Sequence, residues 1–157
     1  MQRESVILNN PERFSGEYKI PEEKIKGAIN RVLKKLESKI DIYTEGFPRA
    51  ATKGAEYLIG GNDNWVCGMH TGCYLLSYEL SGDEKFLDVA KKHIPTYKTR
   101  LDKEIGIHDH DVGFAYSPSC VAMHKLFGDD LAKECALRAA KFLYDHSYFE
   151  KVALLCV

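Results

Sequence analysis

The stretch that decides the fold is Trp65–Leu80, WVCGMHTGCYLLSYEL, which has apolar side chains on every side of a helix. Before Glu79 it contains no charged residue other than one histidine. A helix that is apolar all round is expected to be buried all round. Gly68 and Gly72 share one face of it, which favours the close approach of another helix backbone and leaves a bound ligand as the alternative.

The chain around this helix repeats with a period of 46 residues. Gly82-Asp83 and Gly128-Asp129 are 46 residues apart, and each pair separates a mostly apolar helix from an amphipathic one. Such a period predicts stacked helical hairpins. No segment has the pattern of a strand. The predicted fold class is therefore all-α, with buried inner helices and half-exposed outer ones.

The predicted elements follow from apolar periodicity and from turn residues. Residues 1–20 are expected to be a loosely ordered lead-in with a turn at Asn9-Asn10-Pro11, and 43–61 a connector. In the third helix, Pro95 should cause a kink or an early end. Its cations are expected to remain outside: Lys91, Lys92, Lys98 and Arg100. The helices are predicted over about 21–40, 65–80, 83–101, 117–126 and 130–144.

A second distinctive stretch is His108–Phe114, HDHDVGF, which places four ionisable side chains in a row. Ser117 and Pro118 then predict an N-cap and the first residue of a helix. Asp111 is expected just outside that helix N-terminus, where the helix dipole favours a carboxylate. A carboxylate beside two histidines can carry acid–base chemistry, although the stretch could equally be a solvated loop.

The repeat also relates Trp65 to Asp111, which are themselves 46 residues apart. Equivalent positions in successive hairpins should lie at the same rim, with the second and fourth helices parallel. An indole offers an apolar face to a sugar ring. The spacing thus predicts a sugar site at that rim.

Composition excludes several classes of function. The 157 residues suit one domain, and the net charge of −1 without a basic stripe argues against nucleic acid as a partner. No leader or membrane-spanning run is present, so no membrane contact and a cytoplasmic location are expected. The cysteines are odd in number and form no Cys-x-x-Cys pair, which favours a reducing compartment: Cys67, Cys73, Cys120, Cys135 and Cys156.

Two other functions compete with a sugar site. Residues 108–111 could bind zinc or manganese, but alternating side chains diverge, so at most two of them face one ion. A helical-repeat binding module without chemistry would need a continuous polar or aromatic concave surface. Asp109 is expected to orient His108 or His110. The remaining histidines are expected to be structural or at the surface: His70, His93, His124 and His146.

Taken together, several motifs resemble the unsaturated glucuronyl hydrolases of glycoside hydrolase family 88. The resemblance covers about 65–144, and its residues are Asn62-Asp63-Asn64-Trp65, Gly68, Gly72, Tyr78–Asp83, His110–Phe114 and Tyr116-Ser117. It implies an (α/α)6 barrel of helical hairpins. Residues 21–157 would then form an incomplete barrel domain, the N-terminal portion only, truncated near the apolar tail Val152–Val157.

The resemblance also implies the chemistry. Asp111 matches one of two essential aspartates, while Trp65 and His110 match residues that contact the substrate. The family releases the unsaturated uronic acid from lyase-generated oligosaccharides by hydrating its C4=C5 double bond, without a metal or organic cofactor. The second aspartate lies in the family beyond the end of this chain. The chain alone is thus expected to be inactive and to self-associate through exposed inner helices.

Overall fold

The computed structural model describes residues 10–14, 16, 20–149 and 154–155. Its helices are α1 (Glu22–Glu37), α2 (Ile40–Tyr43), α3 (Val66–Ser81), α4 (Glu84–Asp102), α5 (Val112–Tyr116), α6 (Ala122–Phe127) and α7 (Asp130–Ser147). A 3-10 turn at Pro11–Phe14 and a π-helical turn at Ser117–Val121 complete the helical elements described. The strands are β1 (Phe47–Lys53), β2 (Glu56–Gly60), β3 (Tyr148–Phe149) and β4 (Leu154–Leu155), paired β1 with β2 and β3 with β4, both antiparallel.

The chain divides into two compact units, residues 1–32 and 33–157. In the first unit, residues 22–32 of α1 are mostly exposed. Lys26 and Glu22 form an ion pair there, 2.6 Å long. Most of the predicted lead-in over 1–20 lies outside the described residues. So does most of the apolar tail Val152–Val157, of which only β4 is described.

In the second unit, both hairpins of the repeat have the same turn. Gly82 and Gly128 end their helices in the left-handed conformation with φ of 70°, which a glycine adopts without strain. Asp83 then accepts a hydrogen bond from the backbone N–H of Lys85, and Asp129 accepts one from Ala132. Each aspartate caps the following helix. The predicted 46-residue repeat of helical hairpins is confirmed.

The close approach predicted at the two glycines of α3 is made by a helix backbone. A Cβ at Gly68 would overlap the carbonyl oxygens of Phe114 and Ala115, and a Cβ at Gly72 would lie 2.9 Å from Cβ of Pro118. Gly68 faces Phe114 and Ala115, and Gly72 faces Pro118, so residue numbers rise in the same direction along both helices. Helix α3 and the helical run starting at Val112 are therefore parallel. The glycines serve helix packing.

The core lies between α3, α4, α5 and α7. The predicted inner face of α4 is buried: Phe86, Val89, Ala90, His93, Ile94, Tyr97 and Leu101. Three polar side chains inside it are joined by hydrogen bonds: the Thr71 hydroxyl bonds His93 Nδ1 at 3.0 Å and the Tyr97 hydroxyl at 2.8 Å. His93 Nε2 lies 2.7 Å from the carbonyl oxygen of Tyr43.

The expectation of no strands was wrong, because the connector over 43–61 contains the β1–β2 hairpin. Phe47 pairs with Gly60 and Lys53 with Glu56, around a turn in which Gly54 has φ of 65°. Much of both strands is exposed, so their side chains show no alternation of buried and exposed positions. Because neither strand buries one face, the sequence lacks the alternation of apolar and polar residues that would predict a strand.

Of the two outcomes expected at Pro95, an early end of α4 does not occur, because the helix continues to Asp102. Two other helix predictions need correction. The helix after His108-Asp109-His110-Asp111, which we call the acidic stretch, begins at Val112 and not at Ser117. The π-helical turn lies inside a helical run that reaches Phe127. Helix α3 is not buried all round, since part of it is exposed: Met69, Leu76 and Leu80.

The glycine contact predicts a large difference between two Gly→Ala substitutions. Gly68→Ala should destabilise the protein by about 2 kcal/mol or more, because the neighbouring backbone cannot move without separating α3 from α5. Gly113→Ala, with open space around its Cβ, should be neutral or stabilise by about 0.5 kcal/mol. Urea unfolding measures both, and equal midpoints would contradict the packing described.

Candidate functional site

Trp65 and Asp111 lie at the same rim of the helix bundle. Trp65 directly precedes α3 and Asp111 directly precedes α5, and the two helices are parallel and in register. Phe114, in the first turn of α5, contacts the indole edge-on with ring centroids 6.4 Å apart. Trp65 is 43% exposed and Phe114 50%. An aromatic platform therefore lies beside the carboxylate at this rim.

Asp111 and His110 form a polar pair directly before α5. Nε2 of His110 lies 3.4 Å from Oδ1 of Asp111, and their side chains are 60% and 30% exposed. The carboxylate of Asp111 makes no capping bond to α5. Asp111 itself lines neither of the two pockets that meet at this rim.

Asp109 has a different role from the one expected. Its Oδ1 accepts a hydrogen bond from the backbone N–H of Asp111 at 2.8 Å. This bond stabilises the turn that carries Asp111. Asp109 therefore fixes the backbone of that turn and does not orient a histidine. The ring of His108 packs edge-on against Phe142 of α7, 5.4 Å between centroids.

Two open pockets meet at this rim. One, of about 590 Å³, is lined by Met69, His110, Gly113, Phe114, Ser117 and Pro118. The other, of about 550 Å³, extends from Trp65 to the β1–β2 hairpin. Met69 lines both, which makes them neighbours. The cations that line the second pocket are Lys35, Lys39 and Arg49. Lys39 pairs with Glu56 of the same pocket at 3.1 Å and Arg49 pairs with Asp63 at 2.6 Å, so carboxylates of the chain already neutralise these two cations. The aromatic faces suit a sugar ring.

His70, which lines the second pocket, is held by aromatic rings. Its ring centroid is 4.6 Å from that of Tyr43 and 5.0 Å from that of Tyr74. Its Nε2 is buried and has no hydrogen-bond partner among the described residues. Burial, followed by the nearby charge of His93, lowers the pKa of His70 to about 4. His70 is therefore neutral at pH 7 and acts as part of the packing.

Arg100 is the residue that sequence reasoning placed wrongly. It was expected outside, yet it is 1% exposed. Its guanidinium donates to the segment before Trp65 and to the segment before the acidic stretch. The signal was present: Arg100 follows His93 and Tyr97 by seven and three residues, which puts it on the buried face of α4.

Neither a metal site nor a membrane-spanning helix occurs in the part of the chain that the structure describes. There, no three His, Cys, Asp or Glu side chains come together as a metal site would require. Over the same residues, no helix combines the length and the apolar character needed to span a bilayer.

No family model matches the chain. Its sequence is similar to proteins named unsaturated chondroitin disaccharide hydrolase and unsaturated glucuronyl hydrolase. The unsaturated chondroitin disaccharide hydrolase of Streptococcus pneumoniae is 37% identical over 144 residues, 92% of this chain and 36% of that protein. The unsaturated glucuronyl hydrolase of Bacillus sp. strain GL1 is 32% identical over 101 residues, 64% of this chain and 27% of that protein. The chain thus spans about a third of the length of these relatives.

Solved structures agree with the sequence comparison. An unsaturated glucuronyl hydrolase from Streptococcus agalactiae matches with a TM-score of 0.86 and 34% identity, over 96% of this chain and 38% of that one. A mutant of that enzyme complexed with dGlcA-GalNAc6S matches with a TM-score of 0.82 and 32% identity, over 93% and 40%. The predicted fold class is confirmed: the hairpins are part of an (α/α)6 barrel.

The buried His70 predicts a loss of stability in acid. The unfolded chain binds a proton near the ordinary pKa of 6.5, whereas the folded protein does so only near 4. The free energy of unfolding should therefore fall by up to about 3 kcal/mol as pH drops through this window. His70→Phe should reduce that fall, as measured by urea unfolding at several pH values.

The matched control is the exposed Leu137 on α7, where Leu137→Ala removes no titratable group and should leave the pH dependence unchanged. A His70→Phe protein that loses stability between pH 6.5 and 4 as steeply as the parent would contradict this account of His70.

Proposed function

This chain belongs to the unsaturated glucuronyl hydrolase family over the third of its relatives' length that it spans, and we propose that its rim is part of a glycosidase active site. The substrate would be an oligosaccharide made by a polysaccharide lyase, with an unsaturated uronic acid at its non-reducing end. The one observation that carries this proposal is that Trp65 and Asp111 precede two parallel helices at one rim, where Trp65 and His110 each line one of two neighbouring pockets.

The residues of the rim have chemically distinct roles in this proposal. The indole of Trp65, held edge-on by Phe114, packs against the face of the sugar ring. Asp111 is the catalytic carboxylate that this chain contributes, and His110 binds the substrate beside it.

The proposed reaction is a hydration that leads to glycosidic cleavage. A proton is added to C4 of the C4=C5 double bond, and the oxygen of a water molecule attacks C5 while a base accepts the water's proton. The hemiketal formed at C5 opens, and the hemiacetal left at C1 expels the rest of the oligosaccharide. One carboxyl group must transfer protons while a neighbour stays charged. No metal or organic cofactor is required for these steps.

In this proposal Asp111 is the partner of the carboxyl group that transfers the proton. It lies at the N-terminal end of a helical run from Val112 to Phe127. In the family, the aspartate implied for proton transfer lies outside the segment that this chain matches. We therefore propose that these 157 residues alone do not turn over substrate.

The exposed side of α3 supports the related proposal that the chain associates with itself. Met69, Leu76 and Leu80 are all exposed along this inner helix. A contiguous apolar surface of this kind favours association in water. A monomeric chain at micromolar concentration would contradict it.

A chimera tests the catalytic role of Asp111. The chain would replace its matching segment in the Streptococcus pneumoniae relative, and the loss of absorbance of the conjugated double bond would be followed with an unsaturated uronyl disaccharide. Asp111→Asn should lower kcat by about 100-fold or more, while Trp65→Ala should mainly raise KM because it removes ring stacking.

The control is Asp88→Asn, an exposed aspartate on α4 away from the rim, which should keep the rate of the parent chimera. An Asp111→Asn chimera with full activity would refute the catalytic assignment. An active parent chimera also excludes the alternative of a non-catalytic helical-repeat binding module.

A further inference from the structure

We propose that Arg100 is a positioning residue that holds the two rim segments together and thereby sets the spacing of Trp65 and Asp111. The first segment, Asn62–Asn64, leads into Trp65. The second, Ile105–Gly106, leads into the acidic stretch before α5. The inference rests on the proposed function only because the rim is taken to be the site. The clamp, which consists of Arg100 and its hydrogen bonds to the two segments, follows from the geometry alone.

The guanidinium of Arg100 donates to both segments at once. Toward the first segment, Nη1 lies 3.2 Å from Oδ1 of Asn62 and 2.9 Å from the carbonyl oxygen of Asn64. Toward the second, Nε lies 2.9 Å from the carbonyl oxygen of Ile105, and Nη2 lies 2.6 Å from that of Gly106. A planar fork with several donors makes such a set, whereas an ammonium group does not.

The electrostatics of this site make the clamp cooperative. Within the described residues, Arg100 has no ion pair with an aspartate or glutamate, so its buried charge is stabilised by carbonyl and amide oxygens and by the ring of Tyr116 at 6.0 Å. A buried cation that loses such partners incurs a large desolvation cost. Releasing one rim segment therefore weakens the arrangement that holds the other.

Two further contacts show that the segments are fitted to each other. Gly106 has φ of 54°, and a Cβ there would overlap the carbonyl oxygen of Asp63. Asn62 also donates from Nδ2 to the hydroxyl of Thr96 at 2.9 Å, which fixes its amide above α4. The first segment is thus held by α4 through both Arg100 and Thr96, and the second segment packs directly on it.

Hydrogen exchange of the 157-residue chain, read by mass spectrometry, tests the clamp without substrate. Asn62→Ala keeps the cation but removes one acceptor. We expect amide exchange to become about tenfold faster in residues 62–66 and also in 105–112, far away in sequence, while the centres of α4 and α7 keep their rates. Arg100→Lys should accelerate exchange in both segments further. The emission of Trp65, the single tryptophan, should change in both variants.

The matched control is Arg138→Lys on α7, where a surface arginine pairs with Asp102 at 2.8 Å. It should leave both segments unchanged. If the amides of Arg100→Lys exchange faster in every helix, that variant is destabilised as a whole, and Asn62→Ala then serves as the test of the clamp. The proposal would be overturned if Asn62→Ala exchanged faster in residues 62–66 alone. It would also be overturned if exchange in that variant increased equally over all helices. The test uses no substrate, so an inactive chimera would count against the proposed function and leave the clamp standing.

Discussion

The close contact between two helix backbones is the constraint from which the arrangement of this protein follows. Gly68 and Gly72 allow α3 to approach the carbonyl groups of Phe114 and Ala115 and the ring of Pro118 without a side chain between them. Because the contact advances in the same direction along both chains, it makes the helices parallel and in register. Their N-terminal ends, and the residues just before them, are thereby brought to one rim.

The chemistry proposed for the protein depends on that register. An aromatic platform of Trp65 and Phe114 and a carboxylate at Asp111 become neighbours only because their helices start at the same level. The loops before the helices cannot provide this precision alone, because loops are more mobile than the elements that they connect. The buried Arg100 supplies it by bonding both loops. The fold thus sets the approximate position of the site and one side chain refines it.

Much of this was predictable from the sequence, and the exceptions have physical reasons. The 46-residue spacing predicted the repeat and the shared rim, because turn residues and helix caps act locally. The β1–β2 hairpin was missed since its strands bury no face. The start of α5 was missed because Ser117-Pro118 has the residue types of a helix start but lies at a π-helical turn inside the run. Arg100 was assigned to the surface by its charge, although its position on α4 is buried. The catalytic role of Asp111 came from resemblance and stays a prediction.

The most direct test of the central claim is an NMR measurement on the chain labelled selectively at tryptophan and phenylalanine. Trp65 is the only tryptophan, so any contact of its indole is assigned without ambiguity. The account predicts nuclear Overhauser effects between the indole and one phenylalanine ring, whose centroid lies 6.4 Å away, and their loss in Phe114→Leu. A folded chain without such an effect, or with one that persists in Phe114→Leu, would contradict the shared rim.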